Sequence, residues 1–292
     1  MIIQLLLNGV VASCYFLLIA VGFSVIYGTT RFFHFAHGVV FTAGAYFTFL
    51  CKVWLGLPFF LSILVGIILC TLLGCLTEVF LYRPLRRNGA SSMVLLVTSL
   101  GAYIVLQNII SMIFGDDTKT FRSGAVEEGI NIFGARVTFV QILIVCVSIV
   151  LVATVAVLLK KTKIGKSMRA VANNSELANI SGIGGDRVIL GTFALGSALA
   201  GIAGILIALD VDMTPTMGMN ALMMGVVAVI IGGVGSIPGI ALGALLLGMA
   251  QHLGVWKIGS QWQDAIAFVI LLIFLLFRPQ GFLGKKIKKV SM

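Results

Sequence analysis

Three groups of residues have types and spacings that could do chemistry. Gly165-Lys166-Ser167 matches the close of a phosphate-binding loop. Such a loop also needs a glycine five residues before Gly165 and a buried strand ahead of it, because its backbone N–H groups wrap the phosphates. Lys160 holds that position and an apolar helix-like run precedes it. Nucleotide binding by this chain is therefore rejected. His34 and His37, just after Arg31, stand three apart and could share a metal on one helix face. No carboxylate or cysteine lies near them in sequence to complete a ligand set. A hydrogen-bonding role at a helix junction is expected instead, with no metal and no cofactor. Cys14, Cys51, Cys70, Cys75 and Cys146 lie in or beside apolar runs without paired metal-site spacing, and read as buried free thiols. No Ser–His pairing in a glycine-rich frame and no paired aspartates point to an enzyme.

The third group is the stretch from Gly165 to Ile183. Met168 to Ala172 predicts one short helix. Asn174 or Ser175 can cap a second, whose carbonyl end stops at Gly182. Ala170, Val171, Leu177, Ala178 and Ile180 give it a modest apolar face among polar and basic residues. Two readings stand: a solvated loop on the membrane surface, or a docking helix that seats in a groove on a partner. A different signal comes from Gly232-Gly-Val-Gly-Ser-Ile-Pro-Gly239, where Gly232, Gly233, Gly235, Pro238 and Gly239 interrupt an apolar region. Broken backbone at membrane depth is either buried in protein or lines a water-filled cavity, and transporters place such breaks beside their pathway. Intramembrane polar residues are sparse: Asn8, Glu78, Gln107, Asn108, Gln141 and Gln251. They form no chain of acids for a proton or sodium route. That scarcity argues for a neutral or zwitterionic cargo and for energy supplied by a partner.

The elements that must hold these residues are membrane helices. Of 292 residues, 60% are hydrophobic and only 10% charged, and the mean hydropathy is +1.14. Soluble domains carry about a quarter charged residues. The 34 glycines suit helices that approach closely in lipid. Small-residue series at Gly196/Ala200/Gly204, Gly239/Gly243 and Ala244/Gly248 repeat that signal. A span needs about 20 apolar residues. Candidates run over 5–27, 33–49, 59–82, 93–114, 139–159, 188–209, 221–231, 240–253 and 265–277. The expected fold is therefore an all-α, polytopic transmembrane helix bundle of about eight to nine segments, at least one of them broken by glycine and proline. Residues 221–253 read equally as two spans or as a re-entrant pair. The first apolar run has no cleavage site and reads as a retained span.

Basic residues orient this bundle. Arg83, Arg86 and Arg87 share one loop, Lys160 to Arg187 another, and Arg278 with Lys285, Lys286, Lys288 and Lys289 forms a tail. The positive-inside rule makes all three cytoplasmic. Asp116, Asp117, Glu127 and Glu128 then lie outside within the extracytoplasmic loop 115–137, where 129–137 predicts a small hairpin. Alternation puts the N-terminus, Asp210, Asp212 and Asp264 outside as well, and the C-terminus inside. The net charge of +10 is thereby a matter of topology, with no nucleic-acid partner implied. Residues 1–292 read as a single transmembrane domain whose largest cytoplasmic excursion is the loop 160–187.

These motifs together resemble the permease of the high-affinity branched-chain amino acid importers of the ATP-binding-cassette class. The likeness runs through Asn8-Gly-Val-Val to Tyr27-Gly28, Phe33-His-Phe-Ala-His-Gly38 with Gly44-Ala-Tyr46, Tyr82-Arg-Pro-Leu-Arg86, the Gly165–Asn174 loop and Ile231–Gly239. It covers nearly the whole chain. The resemblance implies a second homologous permease subunit, two cytoplasmic ATPases, an extracytoplasmic binding protein, an amino acid cargo and a lipid inner membrane. It also implies that Arg169, Asn173, Asn174, Glu176, Ala178 and Gly182 lie at an ATPase-coupling surface, with Leu177 departing from the motif's first alanine. Asn8, His34, His37 and the Gly232–Gly239 break are expected along the translocation pathway. The same family also serves urea and short amides. A lone secondary transporter or channel is the rival class, and the missing acid chain counts against it.

Overall fold

The computed structural model describes residues 2–121, 129–132 and 134–284. Glu127, Glu128 and the tail lysines from Lys285 onward lie outside the described residues. Among these, eight helices are long and apolar enough to cross a membrane, and a ninth is apolar but shorter. In chain order the first five helices are α1 (Ile2–Thr30), α2 (Ala36–Phe49), α3 (Phe59–Thr77), the short α4 (Arg83–Arg87) and α5 (Ser92–Phe114). A hairpin of β1 (Ile130–Ile132) and β2 (Ala135–Val137) follows, pairing Ile130 with Val137 in antiparallel register. The remaining helices are α6 (Phe139–Lys161), α7 (Lys163–Asn173), α8 (Ser175–Ile180), α9 (Gly185–Asp210), α10 (Met217–Gly232), α11 (Ile237–Ile258) and α12 (Gln263–Phe277).

Lipid gives helices no hydrophobic reason to associate, so packing at small residues must do it. The sequence supplies such residues where α1, α2 and α9 meet. Gly44 sits against the backbone of Gly201, and Gly204 sits directly on the Phe41 carbonyl, so a Cβ at either would overlap main chain. Gly196 faces Gly22 and Ile26 of α1, while Gly248 of α11 faces Gly9 and Ser13. The small-residue series therefore each line a helix crossing. α1 is the centre of the bundle, with 83% of its most apolar stretch buried, against 6% for the span Ser260–Phe277 on the rim. Leu18, Ile19, Phe41 and Leu222 are fully enclosed between these inner helices.

Two turns of π-helix, Leu50–Trp54 and Glu78–Tyr82, extend α2 and α3. The second joins α3 to α4, so the span runs without a gap from Phe59 to Arg87. A π-turn adds roughly one residue to the helical repeat. It brings Glu78 and Arg86, eight positions apart, onto one face where they pair. The ambiguous region 221–253 is two antiparallel helices. α10, of 16 residues, is about 24 Å long at 1.5 Å per residue and falls short of a hydrocarbon core of roughly 30 Å. α11, of 22 residues, is about 33 Å and spans it fully.

Charge is uneven along the bundle. Arg31, Arg83, Arg86, Arg87 and the helix pair α7–α8 gather at one end. The opposite end carries the hairpin and is mixed in charge, with Asp116, Asp117, Asp212 and Asp264 beside Lys52, Lys119, Arg136 and Lys257. There Lys119 and Met213 exchange two backbone hydrogen bonds of 2.9 Å. Gln4 ties the hairpin to α1 through both backbone groups of Arg136, at 2.8 and 2.9 Å.

Candidate functional site

The α7–α8 pair forms because each helix start is capped by a side chain. Thr162 Oγ1 accepts from the Gly165 N–H at 3.1 Å. α7 thus begins at Lys163, five residues before the expected Met168. Gly165 packs on the main chain of Leu158 and Leu159 where a Cβ would clash, which folds α7 back sharply on α6. The Arg169 guanidinium closes the same corner by donating to the Leu159 and Lys160 carbonyls. Asn174 Oδ1 then accepts from both Glu176 and Leu177 N–H groups at 3.0 Å, and starts α8. Gly182 has φ +83°, a conformation that favours glycine and ends the pair. Asn179 Oδ1 takes the Gly185 N–H at 2.9 Å and joins the turn to α9.

The expected apolar face divides in two. Val171 and Ala178 are buried against Phe32, Tyr82 and Phe193, which fixes the pair to the bundle. Leu177 and Ile180 point to solvent, 60% and 78% exposed, with Glu176 exposed beside them. A cavity of about 850 Å³ lies behind the pair, lined among others by Thr30, Arg31, Asn173, Asn174 and Asp186. Arg31, at φ +59°, is the one described non-glycine residue with positive φ. Its guanidinium donates to the Ala172 carbonyl at 2.7 Å and so braces the end of α7 against the α1–α2 junction. Asp186 accepts from Arg83 and Arg87 at 2.9 Å each.

The two histidines sit just behind that junction. Both are fully buried, with ring centroids 5.8 Å apart. His34 Nδ1 lies 3.1 Å from the Tyr82 hydroxyl, and Ser99 Oγ accepts from the Ala36 N–H at 3.0 Å. Among the described residues no group of three potential ligands surrounds them. The cluster joins α2, α3 and α5 at their basic ends. Asp186 and Ser99 were not singled out from sequence, and no local spacing marks them, since their partners lie 63 to 103 positions away, while Tyr82 entered only within the motif Tyr82-Arg-Pro-Leu-Arg86.

The Gly232–Gly239 break lies near the same end. The Gly235 N–H reaches Ser24 Oγ at 3.4 Å, which places it about 9 Å, six helical residues, short of the end of α1 at Thr30. The segment after α12 closes over the break. Phe282 and Leu283 donate to the Ile231 and Gly232 carbonyls at 2.8 and 3.1 Å. Gly232, Gly233 and Gly239 are buried, whereas Gly235 and Pro238 are exposed. Ser236 Oγ caps α11 through the Gly239 N–H at 3.3 Å. Asn8 is remote from all of these. It lies on the far end of α1 and accepts from Gln4 at 3.1 Å. The structure therefore gathers Arg169, Asn173, Asn174, Glu176, Ala178 and Gly182 in one projection, with His34 and His37 one layer behind and Asn8 apart.

The family model described as branched-chain amino acid transport system / permease component matches residues 5–275. The chain belongs to this permease family. It is 32% identical over 304 residues to the high-affinity branched-chain amino acid transport system permease protein BraD of Pseudomonas aeruginosa, covering 99% of this chain and 98% of that one. Against LivH of Escherichia coli K12 the identity is 30%, covering 99% and 97%. A probable LivH of Methanocaldococcus jannaschii is 28% identical, covering 99% and 95%. No solved structure matches the chain. This permease is thus a multi-pass membrane protein and a transport component.

The permease depends on Asn174 in a way that can be measured. Asn174→Ala leaves two N–H groups of α8 uncapped, a local loss of about 1 kcal/mol. Hydrogen exchange of residues 175–182 is expected to speed up roughly fivefold while the membrane spans stay protected. Equal exchange in the variant would show that the cap does not hold α8.

Proposed function

We propose that this permease carries branched-chain aliphatic amino acids across the inner, cytoplasmic membrane as one transmembrane subunit of an ATP-binding-cassette importer. Its relatives' names supply the cargo class. The exposure of α8 supports a coupling role, because Glu176, Leu177 and Ile180 face solvent while Val171 and Ala178 anchor the pair. In this reading the basic end faces the cytoplasm, with the C-terminus inside and the N-terminus outside. α8 seats in a groove on one of two ATPase chains, and a second homologous permease subunit completes the pathway. An extracytoplasmic receptor delivers cargo to the far end. Closure of the ATPases on ATP pushes α7–α8, and the Arg31–Ala172 contact passes that push to the α1–α2 junction and its histidines.

The test is assembly followed by coupling. Two ATPase chains and a second permease should co-purify with this one in detergent, and receptor with leucine should stimulate ATP hydrolysis. Glu176→Ala is expected to lower that stimulation about tenfold, as loss of an interface hot spot does, and Arg169→Ala to lower it by freeing the α6–α7 corner that its guanidinium closes. A solitary protein that transports without ATPase partners would end this reading. Full stimulation in both variants would remove the coupling role of α8.

A further inference from the structure

The cavity of about 850 Å³ behind α7–α8 has a chemistry that the exposed face of α8 does not use. It is bounded by the end of α1, by α4, by the α7–α8 turn and by the start of α9. Among the described residues, Arg31, Arg86 and Arg87 line it against one carboxylate, Asp186. That carboxylate is already answered, because its Oδ2 accepts from Arg83 and Arg87 at 2.9 Å each. Glu78 is likewise taken by both terminal nitrogens of Arg86. Four arginines thus face two carboxylates, and two positive charges are left without a countercharge.

Arg31 and Arg87 carry most of that excess. Among the described residues no carboxylate lies within ion-pair distance of Arg31. Its guanidinium donates from Nη2 to the Ala172 carbonyl, and a guanidinium has five N–H groups to give. Arg87 gives one nitrogen to Asp186 and is 64% exposed. Arg31 also sits at φ +59°, where glycine or asparagine holds the backbone with less strain. An arginine in that strained position points to a task for its guanidinium. The neutral groups of the wall add donors. Asn174 commits its side-chain oxygen to the Glu176 and Leu177 N–H groups, and Asn179 commits its own to Gly185. Their amide NH2 groups therefore remain to donate. A tetrahedral oxyanion accepts from several directions at once and pairs with guanidinium forks, so it suits this wall. A zwitterion would find no free carboxylate for its ammonium.

We propose that this cavity is an oxyanion site that takes a phosphate group, as free phosphate or as the headgroup of an anionic lipid, with Arg31 as its anchor. Basic pockets between membrane helices bind such headgroups. An occupant bonded to Arg31, Arg87 and Asn174 ties the end of α1 to α4 and to the α7–α8 turn. The assignment depends neither on the cargo nor on the ATPase partners.

The test measures the unfolding midpoint of the full-length permease in a neutral detergent. Inorganic phosphate is compared with sodium chloride of equal ionic strength, so that general screening is the same in both. A second arm compares nanodiscs of phosphatidylcholine with nanodiscs that also contain phosphatidylglycerol. A ligand held only by the folded state, at about ten times its Kd, raises the midpoint by roughly 3 °C. A rise with phosphate in detergent identifies the free anion as an occupant, and a rise confined to the phosphatidylglycerol discs identifies the headgroup. Two variants locate the site. Arg31→Asn removes the guanidinium and eases the backbone, since asparagine tolerates the left-handed conformation. Ser175→Asp adds a negative charge to the cavity wall at a helix start that favours acidic residues. Both are expected to fold and to lose the rise. The absence of any rise in either arm of the wild type overturns the site, and so does a rise that persists in either variant.

Discussion

Gly204→Leu is expected to yield almost no assembled permease. Gly204 sits where α9 crosses α2, and any Cβ there overlaps the Phe41 carbonyl. Main chain cannot rotate away as a side chain can, so relief requires the two inner helices to separate. That separation would also part Gly44 from Gly201 and open the enclosed centre around Phe41 and Ala203, both fully buried. Overpacking a core costs about 1–3 kcal/mol when side chains can shift. A backbone clash at a shared crossing should exceed the upper figure, which is a large part of a stability of roughly 5–15 kcal/mol. The measurement is the yield of monodisperse protein in detergent and its thermal unfolding midpoint. Gly101→Ala is the matched control, since nothing lies within 4 Å of an added Cβ there. It should behave as wild type or slightly better, because alanine favours helix over glycine. Comparable loss in both variants would mean that glycine matters here for helix flexibility, and the tight crossing would not be the cause.

That contrast shows what local sequence carries and what it does not. Gly101 and Gly204 look alike in sequence, each within an apolar run. The small-residue series at Gly196, Ala200 and Gly204 marked a close-packing face, but only the fold shows that Gly196 meets α1 while Gly204 meets α2. The spans themselves were readable, because twenty apolar residues in lipid leave the backbone few options but helix. The hairpin at 129–137 and the Asn174 cap were readable for the same kind of local reason. The start of α7 was not. It depends on Thr162 and on Gly165 lying against α6, and apolar pattern alone begins the helix only at Met168. The glycine-rich break was legible as a break. That the segment around Phe282 closes it was not, since 51 positions separate Phe282 from Ile231. The π-turns leave no trace in composition, and through them the partner of Glu78 stayed hidden.

Glu78 leads to the second large effect. Its side chain is only 1% exposed and pairs with both terminal nitrogens of Arg86, which is 18% exposed. Such a pair gains little overall, because desolvating two ions offsets most of their attraction. Breaking it is another matter. Arg86→Met leaves a carboxylate among the helices α3 and α4 with its bidentate partner gone, and Arg83 and Arg87 are already engaged by Asp186. A cost of about 3–5 kcal/mol is expected from the unpaired buried charge. Glu78→Gln should cost less, since the exposed edge of Arg86 can turn to water and Asp186 lies 3.8 Å away as a substitute. The double variant Glu78→Leu with Arg86→Met removes both charges and should recover most of the loss. Unfolding midpoints of these three variants and of Glu78→Leu alone, in one detergent, close the cycle. The ordering Arg86→Met well below Glu78→Gln, with the double variant near wild type, follows from burial of the carboxylate. Additive losses in the double variant would instead show that Arg86 stabilises the α3–α4 join through its packing, with the charge of Glu78 solvated through the basic end. Transport separates the same two cases. A restored double variant that folds but does not couple would place this ion pair in the path from α7–α8 to the α1–α2 junction, since Tyr82 of the intervening π-turn touches His34 and shares a buried cluster with Val171 and Ala178.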